Sequence, residues 1–86
     1  MGRRHAAPAG EFVELVTECE LEGNCRGWDG TTSFRLANGE VWQQSAWRWR
    51  GSLHLCSPEI RVWRIGARYF LEVEGTREIL PVQRLH

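Results

Sequence analysis

Two dipeptides, Asp29-Gly30 and Asn38-Gly39, constrain the fold of this chain more than any other feature of its sequence. Both are typical of two-residue β-hairpin turns, because a type I′ turn needs a positive φ at each of its two central residues. Between them Thr31–Leu36 alternates, with Phe34 and Leu36 on one face. We therefore expect a three-stranded meander with tight turns at both dipeptides.

The rest of the chain also favours strands separated by turns. Gly66-Ala67 and Gly75-Thr76 are typical turn dipeptides, and Pro58 interrupts a strand because it cannot donate to a sheet ladder. Short strands at intervals of about 8–12 residues are typical of a small barrel or sandwich. We predict an all-β fold, a five- to six-stranded SH3-like barrel, in which closure hides the sheet edges. The predicted strands are about Thr17–Trp28, Thr31–Leu36, Glu40–Arg50, Glu59–Ile65, Arg68–Glu74 and Glu78–Leu85.

The N-terminal part divides into a tail and an ambiguous segment. Residues 1–10 are small and polar, with Pro8 and Gly10, and are predicted to form a disordered tail. Residues 11–17 fit both the spacing of a helix and the alternation of a strand, so one short N-terminal helical turn stays an open alternative. The 86 residues leave room for one domain, and we assign residues 11–86 to a single β-barrel domain.

Charge and cysteine usage narrow the class of protein. All 11 basic residues are Arg and 11 residues are acidic, so the net charge is zero, which argues against an extensive nucleic-acid surface. Three Cys residues without paired spacing predict reduced thiols and a cytoplasmic location. No apolar run approaches the roughly 20 residues of a membrane span, so no membrane partner is expected.

No pattern in the sequence predicts catalysis or a metal centre. His54 and Cys56 would share a strand face as a conceivable nucleophile pair, but a loop Cys beside a solvated His is the commoner case. Cys19 and Cys25 would lie about 20 Å apart along a straight strand. Zinc ligands lie only about 2.0–2.3 Å from the metal ion. We therefore expect a domain that is not an enzyme, with no catalytic residues, no cofactor and no metal ion.

Trp and Arg residues are the candidates for a binding surface, because both are enriched where proteins bind partners. The second predicted turn pairs Arg35 with Trp42 and places both side chains on the outer face of the sheet. Continuing the same alternation places Trp47 and Trp49 in the core and leaves Arg48 and Arg50 outside.

The predicted strand after Pro58 supplies the other half of this surface. Ile60 and Val62 are expected to face the core, whereas Arg61 and Trp63 face outward. The outer Trp residues of the two strands would then lie near each other, flanked by Arg. The candidate binding residues are Trp42, Trp63, Arg35, Arg61 and Arg48.

Two observations speak against this arrangement. Gln43 would lie opposite Phe34 on the supposed core face, which points to a slip of the register. A bulge near Gln44, or cover by residues 11–16, would also hide the outer rings. In either case the tryptophans of the candidate surface would be core residues.

Several stretches of the chain resemble a family of uncharacterised bacterial β-modules, found alone or at the C-terminal end of larger proteins. The specific part is Gly27-Trp28-Asp29-Gly30, Phe34-Arg35-Leu36 and the Asn-Gly-Glu-Val-Trp-Gln-Gln run over residues 38–44. Val73-Glu74-Gly75 and Val82–Leu85 extend the resemblance to roughly residues 18–85. The chain has Trp47-Arg48-Trp49-Arg50 where the family alternates Tyr and His. The resemblance implies a domain, and it implies no activity and no site residues.

These observations together predict a non-catalytic protein-interaction or accessory module. Its partner would be another protein or a second copy of the chain. A nucleic-acid-binding barrel that uses an Arg/Trp surface is one alternative, and it would bind with a steep dependence on salt. The other alternative is an obligate homo-oligomer whose outer Trp residues bury one another. A measurement of molecular size in solution distinguishes this alternative.

Overall fold

The computed structural model describes residues 4–6 and 12–86, and these residues form strands and loops without any helix. The all-β prediction is confirmed. No helix capable of crossing a membrane exists in this part of the chain. The strands are β1 (Arg4–Ala6), β2 (Phe12–Glu20), β3 (Asn24–Cys25), β4 (Ser33–Arg35), β5 (Val41–Gln44), β6 (Leu55–Cys56), β7 (Glu59–Ile65), β8 (Arg68–Val73) and β9 (Ile79–Arg84).

Seven of the strands form one antiparallel sheet in the order β1-β2-β7-β8-β9-β5-β4, and β3 pairs with β6 in a separate ribbon. The sheet is open and is not closed into a barrel. Its two ends approach each other beyond β2, where Leu21 and Leu36 form an isolated antiparallel bridge. Two backbone hydrogen bonds flank this bridge, from Glu22 N to Arg35 O at 2.8 Å and from Ala37 N to Glu20 O at 2.9 Å.

The predicted strands after Pro58 agree closely with the structure. β7 has the predicted bounds, and β8 and β9 lie within theirs. The two-residue loop Gly66-Ala67 pairs Ile65 with Arg68, and Gly66 has a φ of +63°, as the first central residue of a type II′ turn requires. Ile60 and Val62 are fully buried, as expected, because strict alternation places them on the core face.

The hairpin at Asn38-Gly39 differs from the prediction by one residue. Gly39 has a φ of +91° whereas Asn38 has a negative φ, and Gly39 N donates to Leu36 O at 3.0 Å. The loop is therefore the three-residue kind, a type I turn followed by a left-handed residue. Arg35 pairs with Val41, not with Trp42.

This shift of one residue reverses the faces of β5, because side chains alternate along a strand. Trp42 lies opposite Phe34 and is only 1% exposed, so its predicted outward position is wrong. Gln43 faces outward opposite Ser33, and Gln44 takes the inward position, where it is buried. β5 also ends at Gln44, and the chain continues as a loop over residues 45–54.

The predicted turn at Asp29-Gly30 is not a two-residue hairpin. The segments on either side do meet, at the Leu21–Leu36 bridge, but the chain between them makes a longer excursion that includes β3. Asp29 has a negative φ, and its carboxylate Oδ1 accepts hydrogen bonds from the amide and the hydroxyl of Thr31, each at 2.9 Å. The dipeptide therefore forms an Asx turn, in which the Asp side chain accepts a hydrogen bond from the backbone two residues on.

The N-terminal segment is a strand from Phe12 onward, so residues 12–17 form no helical turn. β1 lies in the predicted tail and pairs antiparallel with β2. The other tail residues, 1–3 and 7–10, lie outside the described residues, as does residue 11. The register of β2 against β7 shifts between Leu15 and Thr17, and this bulge turns Thr17 towards the interior.

The core contains two tryptophans, and their indole N–H groups differ in hydrogen bonding. Trp42 Nε1 donates to Glu40 Oε1 at 2.9 Å, and the same oxygen accepts the hydroxyl of Thr17 at 2.8 Å. Trp28 Nε1 is buried and has no hydrogen-bond partner among the described residues. The buried apolar residues are Leu21, Cys25, Trp28, Phe34, Leu36, Trp42, Leu53, Ile60, Val62, Leu71, Val73, Leu80 and Val82.

Candidate binding surface

The five predicted binding residues do not form one surface. Trp42 lies in the core, where its ring contacts Tyr69 with centroids 5.2 Å apart. Arg35 is exposed on β4, and in the order of the sheet β8, β9 and β5 separate it from Arg61 and Trp63 on β7. Arg48 is exposed in the loop after β5.

The outer face of β7 carries Arg61 and Trp63 as predicted, but both make specific contacts within the sheet. Arg61 Nε donates to Glu18 Oε2 at 2.7 Å, and this hydrogen bond raises the pKa of the Arg61 guanidinium above its ordinary value. Trp63 Nε1 donates to Glu72 Oε1 at 3.0 Å.

Trp63 also borders an open apolar groove on the outer face of the sheet. The groove has a volume of about 400 Å³. Its lining residues come from β2, β7, β8 and β9: Val13, Trp63, Ile65, Phe70, Glu72 and Ile79.

Among the described residues, the most exposed large apolar side chains belong to residues that are predicted to lie in the core. Trp47 is 75% exposed and Trp49 is 69% exposed, so the prediction that they are buried is wrong. The reason is that β5 ends at Gln44, and the alternation of a strand no longer applies beyond it. We name residues 45–51, Ser-Ala-Trp-Arg-Trp-Arg-Gly, the tryptophan loop. Large apolar groups exposed together on one loop are typical of a binding site.

One buried side chain, the amide of Gln44, connects the tryptophan loop to the Asx turn. Gln44 Oε1 accepts hydrogen bonds from Gly30 N at 2.7 Å and from Thr32 N at 3.2 Å. Its Nε2 donates to Arg48 O at 3.3 Å. Gln44 is 4% exposed, so it satisfies these three backbone groups away from water. It thereby fixes the position of Arg48 between the two exposed tryptophans.

Backbone pairing holds the far end of the loop. Trp28 and Arg50 exchange two backbone hydrogen bonds, at 2.8 and 2.9 Å, which joins the loop to the segment that follows β3. The Arg50 side chain forms an ion pair with Glu78. Ser45 N donates to Pro81 O at 3.0 Å at the near end. The tryptophan loop is thus anchored at both ends and at its centre.

Each exposed indole rests against a glycine backbone. A Cβ atom on Gly30 would lie 2.3 Å from Cε3 of Trp47, and one on Gly51 would lie 3.0 Å from Cζ2 of Trp49. Only glycine leaves room for the Trp47 ring at this position, since 2.3 Å is far inside van der Waals contact. The two rings are therefore positioned by the loop although they remain largely exposed.

The Asx turn beside Trp47 carries a negative charge. The backbone hydrogen bond from Thr31, and then the hydroxyls of Thr31 and Thr32, lower the pKa of the Asp29 carboxyl from its ordinary 3.8. The carboxylate is therefore ionised at neutral pH, next to the glycine that supports Trp47.

A second group of polar side chains lies on the ribbon of β3 and β6. Asn24 pairs with Cys56, and alternation along both strands places Arg26 and His54 on the same side. All four side chains are exposed, and they line a depression of about 150 Å³. His54 and Cys56 thus share a face, as expected. No group of three His, Cys, Asp or Glu side chains suited to a metal ion occurs within residues 4–6 and 12–86.

Sequence reasoning missed Trp47 and Trp49 because it extended β5 through residue 50. Ser45 and Ala46 were the available signal, since neither favours a strand, and the run Trp-Arg-Trp-Arg departs there from the resembled family. The contact of Trp47 with Gly30 joins residues that are distant in sequence and leaves no local pattern.

Comparisons with known proteins add no family or function. The chain matches no protein-family model, and searches of curated proteins and of solved structures gave no match. The resemblance to bacterial β-modules stays a prediction.

Proposed function

We propose that this domain is a non-catalytic protein-interaction module whose binding site is the tryptophan loop. The observation that carries the proposal is the exposure of Trp47 and Trp49 on a loop anchored by Gln44 and by the Trp28–Arg50 pair. Trp and Arg are the residues most enriched in binding hot spots, and an exposed Trp can contribute about 2 kcal/mol or more when a partner buries it.

We further infer that the fold is an incompletely closed SH3-like barrel in a cytoplasmic protein. The Leu21–Leu36 bridge between the two ends of the sheet supports the first inference. The free thiols of Cys19, Cys25 and Cys56 support the second, since reduced cysteines are typical of the cytoplasm.

The test compares selection of peptide ligands by the wild-type chain with selection by the double variant Trp47→Ser/Trp49→Ser. The double variant is expected to change the free energy of unfolding by less than about 0.5 kcal/mol per site, because exposed side chains contribute little to stability. Peptides selected by the wild type should bind the double variant at least about tenfold more weakly, which corresponds to about 1.4 kcal/mol. Acrylamide quenching should confirm that the two missing indoles were the accessible ones.

Leu85→Ser is the matched control, because Leu85 is also an exposed apolar residue but lies at the end of β9, outside the loop. It should leave peptide binding unchanged. Equal binding by the wild type and the folded double variant would overturn the proposal. Light scattering that shows a dimer dissociated by the double variant would instead support the homo-oligomer.

A further inference from the structure

The described arginines of this domain divide into those that form an ion pair with an acidic residue and those that do not. On the sheet, Arg61 pairs with Glu18 and Arg64 pairs with Glu14 at 2.8 Å. Arg26 and Arg48 are exposed, and neither forms an ion pair with any other described residue. Two forked cationic donors are therefore available for a ligand.

The segment that carries Arg48 contains no acidic residue. Residues 45–58 include Arg48, Arg50 and His54 but no Asp or Glu. Arg50 is neutralised by Glu78, so Arg48 is the cation of the loop that remains available. On the ribbon, Arg26 shares its exposed face with the uncharged Asn24 and with His54.

The ribbon face and the tryptophan loop are continuous along the chain and in space. The backbone pair of Trp28 and Arg50 lies a few residues beyond the pairing of β3 with β6, and Leu53 N donates to Arg26 O at 3.3 Å between them. Arg26 therefore lies between the β3–β6 pairing and the backbone pair that holds the loop with Trp47, Arg48 and Trp49.

We propose that this surface binds an extended peptide segment rich in carboxylates, which pair with Arg26 and Arg48 while apolar or proline residues between them pack on Trp47 and Trp49. The inference rests on the proposed function and names the class of partner for the same site. Arg binds carboxylates through paired hydrogen bonds, and such charge-assisted bonds are roughly twice as strong as neutral ones.

Asp29 favours a peptide over a nucleic acid at this site. Its ionised carboxylate lies beside the glycine that supports Trp47. A nucleic acid carries a charge at every phosphate and would bring one close to Asp29. A peptide can place uncharged residues there and its carboxylates near the two arginines.

The experiment measures fluorescence anisotropy of labelled probes with the full chain. The probes are a twelve-residue peptide of four Glu-Leu-Pro repeats, its charge-reversed counterpart of four Lys-Leu-Pro repeats, and a twelve-nucleotide oligothymidylate. The acidic peptide should bind at least about tenfold more tightly than the basic one, the equivalent of one well-formed charge-assisted pair. Arg26→Gln/Arg48→Gln should weaken binding of the acidic peptide about tenfold. Raising the salt concentration from about 50 to about 300 mM should also weaken its binding to the wild type.

Arg35→Gln is the matched control, because Arg35 is exposed on β4 outside the ribbon and the loop. It should leave the affinity unchanged. The inference is overturned if the basic peptide binds as tightly as the acidic one, if Arg35→Gln weakens binding as much as the double arginine variant, or if the oligothymidylate binds more tightly than either peptide.

The two proposals fail in different ways. If the basic peptide binds best and Trp47→Ser/Trp49→Ser abolishes that binding, the interaction site stands and the acidic partner class is wrong. If the folded tryptophan variant binds every probe as the wild type does, the site itself is wrong.

Discussion

Among the hairpins of this domain that have a glycine in the turn, the β7–β8 and β4–β5 hairpins differ by one residue in the length of the loop. Between β7 and β8 the loop is Gly66-Ala67, and Ile65 pairs directly with Arg68. Between β4 and β5 the loop is residues 37–39, and Leu36 N donates to Glu40 O at 2.8 Å across it. Both loops contain a glycine with positive φ, but at the first position in one and at the last position in the other.

The difference shows that turn length decides which side chains form the core. Side chains alternate along a strand, so one extra loop residue moves a whole set from one face to the other. The two-residue loop keeps Val62 in the core as the sequence pattern indicates. The three-residue loop places Trp42 inside and, with the early end of β5, leaves Trp47 and Trp49 outside.

Among the variants that test this comparison of the two loops, Trp42→Ala should have the largest effect on stability. A buried Trp is expected to cost about 3–5 kcal/mol on truncation to Ala, a large part of the total stability of a small domain. Denaturant unfolding followed by circular dichroism measures the loss. Trp49→Ala is the control and should cost less than about 0.5 kcal/mol. Similar small losses for both variants would mean that β5 has the two-residue register after all.

A smaller effect distinguishes the two buried indoles. Trp42→Phe removes a hydrogen bond to the Glu40 carboxylate, and bonds to charged groups are worth about 1.5–3 kcal/mol. Trp28→Phe removes an N–H group that has no partner among the described residues. Only the loss of ring volume should therefore lower the free energy of unfolding of this variant. We expect Trp42→Phe to be the more destabilising by about 1–2 kcal/mol. Equal losses in thermal or denaturant unfolding would contradict the assigned hydrogen bond.

The smallest effect concerns the backbone of the three-residue loop. Gly39→Val should cost about 1–2 kcal/mol, because a β-branched residue resists a φ of +91°. No atom lies within 4 Å of the position that a Cβ would occupy, so the cost is conformational and not a clash. Gly39→Asn should cost less, since Asn tolerates the left-handed region. A neutral Gly39→Val in denaturant unfolding would show that residue 39 does not need positive φ.

The sequence predicted β7, β8 and β9 well because their alternation is regular and their first connecting loop has two residues. It identified Asn38-Gly39 as a turn but not its length, because a Gly in the left-handed region closes two-residue and three-residue loops alike. Gln43 was the residue that pointed to the correct register. In the candidate site Arg48 and Arg50 were predicted to be exposed, and both are. The roles of Gln44 and Gly30 were not predicted, because the burial of Gln44 and the contacts of Gly30 depend on chain segments that are distant in sequence.

The strand order also separates pairings between neighbouring strands from pairings between strands that are distant along the chain. The partner of Val13 is Ile65, and Trp42 pairs with Arg84, whereas β7, β8 and β9 pair with their immediate neighbours along the chain. Closing a long loop costs more conformational entropy than closing a hairpin, and proteins rich in distant pairings fold slowly. During synthesis β1 and β2 are made long before β7, the strand that pairs along most of β2. The apolar side chains of β2 therefore lack this sheet neighbour until residues 59–65 have been made.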